Sequence, residues 1–285
     1  MKTQEANTII DQQLDSLASA LDAGKSQAMM RFLHTMAKFH KYSLGNVLLI
    51  MGQYPAATRI AGFQTWKSLG RHVKKGEKGI AILAPIQIKM SGSDTSIDAT
   101  KEQGDEYIEG EESSESGTIL RFRVVYVFDV DQTEGDDLPD FAQVAGEPGA
   151  YTDQLKHLVN QHGITIEYEE SLGGPDGLSK KGTIVIRQGL APATEFSVIV
   201  HEFAHELMHQ NDRRENMTRT VIETEAEAVA YVVSQAIGLE SGTAASDYIQ
   251  LYRGNKELLN QSLTAIKSTA HMILSALFYN KRERQ

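Results

Sequence analysis

His201, Glu202 and His205 stand in the order His-Glu-Phe-Ala-His within a segment of helical period. Four residues on an α-helix advance about 400°, so the two imidazoles project from one face, one turn apart, and can share one ion. The carboxylate beside them is placed to take a proton from a water whose pKa a divalent cation lowers. The chemistry this points to is metal-dependent hydrolysis, with His201 and His205 as ligands, Glu202 as general base and zinc as the expected ion. Other divalent metals remain possible.

A catalytic zinc needs a third protein ligand and an open position. His209 follows four residues after His205, but on a continuous helix it lies about 6 Å further along, so it flanks the ion rather than closing around it. The better source is Val221-Ile222-Glu223-Thr224-Glu225-Ala226-Glu227, on a second apolar helix. Glu223 and Glu227 share a face at i,i+4. Glu223 is the expected ligand, and Glu227 and His209 are expected behind the ligands, with Glu227 accepting the second N–H of a ligating histidine. Glu225 points away from that face and stays as the lesser alternative for the third ligand.

The elements that carry these residues follow from periodicity. Helices are expected over 5–23, 26–40, 44–53, 61–69, 151–161, 194–209, 218–237 and 255–278. Strands are expected over 80–89, 119–130, 164–168 and 182–188. The strand at 182–188 reads either as the cleft edge on which an extended peptide pairs or as an ordinary sheet strand. The mixture predicts an α+β chain of two domains, 1–135 and 148–285. Between Ser91 and Gly117 nine acids accompany one lysine and few large apolar residues. This reads as a flexible, solvated insertion between two strands. The alternative is that it folds over the basic segment as a tethered DNA mimic.

Composition sets outer limits. There is no cysteine, which excludes disulfides, thiolate metal sites and cysteine nucleophiles. The polar N-terminus lacks an apolar signal core, and no apolar run, Val47 to Met51 included, approaches the length that spans a membrane. A cytoplasmic location without membrane partners is the expectation. The net charge of −10 conceals a division: residues 25–90 carry 11 Lys or Arg against one acid, Glu77, so this stretch is +10 and the remainder −20. Local charge governs nucleic-acid binding, and this stretch also holds Tyr42, Tyr54, Phe63 and Trp66.

Three motifs occur in order within that stretch: Tyr42-Ser43-Leu44-Gly45-Asn46, then Gly62-Phe63-Gln64-Thr65-Trp66 with Gly70, then Lys74-Lys75-Gly76-Glu77-Lys78-Gly79 before a strand. With Tyr126 to Thr133 they resemble the N-terminal domain of the ArdC-type antirestriction proteins of plasmids and other mobile elements. The stretches around His201 and Glu223 resemble that family's zincin-like metallopeptidase domain, and more distantly the ImmA/IrrE-like peptidases. The resemblance implies single-stranded DNA binding by the first half and a metal-dependent peptidase fold in the second. The residues offered to DNA are Lys41, Tyr42, Asn46, Arg59, Phe63, Trp66, Lys67, Arg71, Lys74, Lys75 and Lys78. Cations follow phosphates and rings stack on unpaired bases, although Trp66 and Phe63 serve equally well as core residues. Two other readings stay open: a DNA-coating protein with a structural metal, and a regulatory peptidase that cleaves a repressor.

Overall fold

The computed structural model describes residues 1–89, 108–113, 118–136, 147–210, 217–239 and 255–279. The fold is α+β. Its contacts divide it into two compact units, Met1–Leu14 with Gly45–Pro139 and Asp15–Leu44 with Asp140–Gln285. The chain therefore crosses between units three times.

In the first unit, a sheet forms in the order β1 (Ile60–Gly62), β5 (Thr118–Asp129), β3 (Ile80–Lys89), with β4 (Ile108–Ser113) also antiparallel to β5. A two-stranded ribbon pairs β2 (Arg71–Val73) with β6 (Thr133–Gly135). β4 lies inside the segment expected to be a flexible insertion. That expectation is corrected for residues 108–113, because backbone pairing to β5 needs no apolar side chains. Residues 91–107 and 114–117 of the insertion lie outside the described residues.

The helix α3 (Leu44–Gln53) shows how this sheet is finished. A strand edge presents unpaired N–H and C=O groups. On β3 two carboxamides one heptad apart on α3 take them up. Asn46 accepts from Leu83 N–H (2.8 Å) and donates to Leu83 C=O (2.9 Å), and Gln53 does the same with Ala81 at 3.0 and 2.8 Å.

The aromatic motif has an equally plain cause. On α4 (Phe63–Ser68), Trp66 is buried, and its indole N–H donates to Phe128 C=O at 2.9 Å. Gly70 then takes a positive φ of 73°, the usual way out of a helix end, at a place where a Cβ would meet Asp136 Oδ2 at 2.2 Å. The lysine-rich turn is pinned by a short 3-10 turn, Val130–Gln132. Gln132 donates to Lys78 C=O (2.8 Å) and to Glu77 (3.0 Å). The buried Asp129 carboxylate accepts the N–H groups of Thr58, Arg59 and Asp131.

The second unit contains α2 (Ser26–Lys38), α5 (Ala150–Gln161), α6 (Pro192–Met208), α7 (Arg219–Ala236) and α8 (Lys256–Tyr279). Its sheet has the order β7 (Thr165–Glu169), β9 (Thr183–Arg187), β8 (Gly177–Ser179), with β7 parallel and β8 antiparallel to β9. β9 is therefore the middle strand, bonded on both sides, which removes it as a free cleft edge. The short β8, within what reads in sequence as a glycine-rich turn, is the edge instead. α7 is the hub, with α2, α6 and α8 against it. Its buried Ala226, Ala228 and Ala230 let neighbours approach closely. Among the described residues no helix is long and apolar enough to cross a membrane.

Candidate metal centre

Both metal-motif helices are begun by local chemistry. Pro192 occupies the first turn of α6, where its missing N–H costs nothing. Thr218 caps α7 by accepting from Val221 N–H at 3.3 Å. With α6 against α7, three donor atoms meet. His201 Nε2 and His205 Nε2 are 3.1 Å apart, and Glu223 Oε2 lies 3.6 and 3.5 Å from them. Among the described residues this triad is the group of potential ligands whose donor atoms all converge. Donors held 2.0–2.1 Å from one ion at tetrahedral angles lie about 3.3 Å from one another, so the set fits a small divalent cation.

Behind the triad, Glu227 Oε2 lies 3.4 Å from His201 Nδ1. His209 closes α6 as its C-terminal cap and places Nδ1 3.1 Å from His205 Nδ1. Its Nε2 is 3.1 Å from Glu225 Oε2, and both side chains are buried. Glu225 thus turns away from the three donors and toward His209.

Glu202 is buried beside the ligands, against β8. A Cβ on Gly177 would meet Val198 Cγ1 at 2.6 Å and Glu202 Oε1 at 2.8 Å, so glycine lets the strand come this close. Glu206 fixes the strand from the other end. Its carboxylate accepts from Ser179 Oγ–H and, at 2.8 Å, from Gly182 N–H. The result is a cleft of about 430 Å³ walled by β8, α6 and the first turns of α7, with Arg219 at the rim.

The electrostatics of neighbouring groups diverge. Burial opposes a charge on His201, but hydrogen bonds to Glu223 and Glu227 and the charge of Glu202 outweigh it and push its pKa up to about 9. Glu202 is pushed up to about 7, first by burial and then by the charges of Glu223 and Glu206, against the pull of His201. Hydrogen bonds from His201 and His205 hold Glu223 well below the usual carboxylate range.

Residues 3–128 match the family described as the N-terminal domain of anti-restriction factor ArdC. Two crystal structures of the antirestriction protein ArdC from plasmid R388 share the fold across both units. The metal-free form aligns with a TM-score of 0.53 over 95% of this chain and 98% of its own, and the Mn(II)-bound form with 0.54 over 94% and 98%, each at 15% identity. Residues 3–128 are thus ArdC-like in sequence, and the whole chain is ArdC-like in fold. An uncharacterized protein of Bacillus anthracis is 25% identical over 305 residues, which is 96% of this chain and 51% of that protein. The ArdC-like chain thus spans about half the length of this curated relative.

In the ArdC-like N-terminal region the expected DNA residues meet different fates. Phe63, Lys67, Lys74, Lys75 and Lys78 are exposed. Arg59 is half-buried, and Arg71 is turned to β6, donating from Nε to Thr133 Oγ1 (2.9 Å) and from Nη2 to Thr133 C=O (3.1 Å). Lys41 and the half-buried Tyr42 belong to the second unit. Two expectations are corrected. Trp66 fills the core and offers no face to a base, and Asn46 is engaged by the β3 edge. Tyr126 is the residue the sequence reading passed over. It is 49% exposed, on the face of β5 that also carries Phe122, Val124 and Phe128. Alternation groups it with the more apolar face of that strand, opposite Arg121 and Arg123, so no local signal marks it as exposed.

Proposed function

We propose that this ArdC-like chain is an antirestriction-type protein of a mobile genetic element, with a single-stranded DNA surface in its first unit and a divalent-metal peptidase site in its second. The observation that carries the second half is the meeting of His201, His205 and Glu223 donor atoms within 3.6 Å, beside the buried Glu202 and over an open cleft. A zinc or manganese ion there would polarise a scissile carbonyl and ease deprotonation of the attacking water.

The chain's own residues supply the rest. Glu202, with a pKa near neutrality, takes the water's proton on a carboxylate oxygen and hands it to the leaving amine, a task that favours a group titrating close to the working pH. β8 aligns the substrate. Lys180 N–H bonds Thr183 C=O and Arg187 N–H bonds Asp176 C=O, so even-numbered positions face β9. Gly177 and Ser179 turn their backbone groups the other way, toward an extended peptide, although the Ser179 backbone already bonds Glu202. Support for the DNA half comes from the matched N-terminal domain, the seven Lys or Arg against one acid over residues 45–90 of the first unit, and the exposed Phe63, Lys67, Lys75 and Lys78.

The test pairs two variants in a cell that restricts incoming DNA. His201→Ala should lose stoichiometric metal in elemental analysis. Glu202→Gln should keep the metal and lose about 100- to 10,000-fold in hydrolysis, with loss of protection. Full protection by a metal-loaded Glu202→Gln protein would remove the peptidase and leave a nucleic-acid coat.

A further inference from the structure

The first unit holds an aromatic cluster that its core does not use. Phe63 and Tyr126 are 51% and 49% exposed, the most exposed Phe or Tyr side chains among the described residues. The strand register brings them together. β1 pairs Ala61 with Phe128 and Gly62 with Val127 on β5, so Phe63 leaves the sheet level with Tyr126. On the other side of β5, β3 sets Ala81 opposite Tyr126, and Gly79 comes up against Phe128. Residues paired across strands share a face. This face therefore carries two rings of β5 flanked by the small residues Ala61, Gly79 and Ala81.

Gly79 shows how the rings lie. A Cβ there would meet Tyr126 Cβ at 2.9 Å, and Tyr126 Cδ1 and Phe128 Cζ at 3.2 Å each. The rings lean across β3 over the bare glycine, and Ala81 is buried although it belongs to this face. Tyr126 thus has one side of its ring against the sheet and the other toward solvent. Its hydroxyl is already engaged, since the Met1 ammonium donates to Tyr126 Oη at 2.6 Å. The ring face is what remains. A single exposed apolar residue needs no explanation, but a contiguous aromatic patch does.

We propose that Tyr126 and Phe63, with Phe128 beside them, form the seat on which unpaired bases stack, and that the lysine-rich turn ending at Gly79 takes the flanking phosphates. This rests on the DNA reading above and gives it residues. The exposed Lys75 and Lys78 arrive just before Gly79, so cations and rings meet at one end of the sheet. Every base has a π-face, so such a seat gives affinity without reading sequence. In a duplex the same faces are hidden in the stack. The seat therefore selects single strands.

Tyr126→Ala in the full-length protein should bind a fluorescein-labelled oligothymidylate of about 16 nucleotides about 5- to 100-fold more weakly than the parent. Tyr126→Phe, which keeps the ring and gives up the bond to Met1, should stay near the parental affinity. A strand of equal length built only of abasic sites offers phosphates and no bases. Parent and Tyr126→Ala should bind it equally, with the same dependence on salt. Photo-cross-linking of a 5-bromodeoxyuridine strand to the parent reads the contact without any variant, and its adducts should fall on Tyr126 or Phe63. Parental oligothymidylate affinity in Tyr126→Ala, an equal loss on the abasic strand, or adducts confined to other residues would each overturn the seat. So would a parental dimer that Tyr126→Ala turns into a monomer in sedimentation with DNA affinity intact, which would give the face to a second copy of the chain. A parent that binds neither strand would instead sink the DNA reading itself.

Discussion

Two adjacent ionisable groups on α6 feel burial in opposite senses. His201 is half-buried yet has its pKa raised to about 9, because Glu223 and Glu227 favour its charge more than desolvation opposes it. Glu202 is raised to about 7, chiefly because burial penalises its charge. Both shifts mean that the folded, metal-free protein holds these protons more tightly than the unfolded chain does. Stability from Glu202 is complete below its unfolded pKa of 4.5 and is lost as pH rises to about 7. That from His201 is complete below 6.5 and is lost by about 9. The metal-free protein should therefore melt at progressively lower temperature from pH 5 to pH 9 in scanning fluorimetry with chelator present. Glu202→Gln should flatten the lower part of that slope. Metal binding requires bare nitrogens, so the rise in melting temperature on adding Mn(II) or Zn(II) should grow over the same range. A melting temperature independent of pH in the metal-free parent would contradict the assignment.

At the scale of elements, the first unit depends on side chains standing in for a strand. Asn46 and Gln53 each satisfy one N–H and one C=O on the outer edge of β3, and Asn46 is buried while doing so. Leaving a buried backbone group without a partner costs about 1–3 kcal/mol. Asn46→Leu should therefore destabilise the protein by a few kcal/mol, read as a lower denaturant midpoint. Its affinity for single-stranded DNA, measured well below the melting point, should stay at the parental value. A large loss of DNA affinity in a stable Asn46→Leu protein would return this residue to the binding surface. In the second unit the corresponding device is Glu206, which ties Ser179 and Gly182 to α6 and so fixes β8 beside Glu202.

Across the whole molecule the charge is divided, not averaged. Residues 25–90 carry +10 and the rest −20, so the acidic remainder repels the same phosphates that the basic stretch attracts. Binding through that stretch should be strongly dependent on salt. Each cation that neutralises a phosphate of a single strand contributes about 0.7 to the slope of log affinity against log salt concentration. Lys75→Ala with Lys78→Ala, both exposed, should lower the slope by about 1.4 if both meet phosphates. Unchanged slope and affinity in the double variant would place the DNA surface elsewhere.

What could be read from the sequence was what local periodicity carries. The spacing of His201 and His205 fixes their common face on any helix, and the i,i+4 pair Glu223 and Glu227 does the same on α7. The helices themselves announce their apolar stripes over 3–22, 150–161 and 219–236. Short elements held by distant backbone partners left little trace: β1, β2, β4, β6 and β8 are three to six residues long, and their stability comes from the strands beside them. Burial was the other quantity only the tertiary structure could decide. Trp66 and Asn46 have the composition of a nucleic-acid surface and the position of a core, while Tyr126 faces outward from the apolar run Val124–Phe128. Glu225 makes the same point at the metal site. Its place on the helix shows that it points away from Glu223 and Glu227, but the approach of α6 decides that His209 waits there, because the helix period sets directions and only packing sets neighbours.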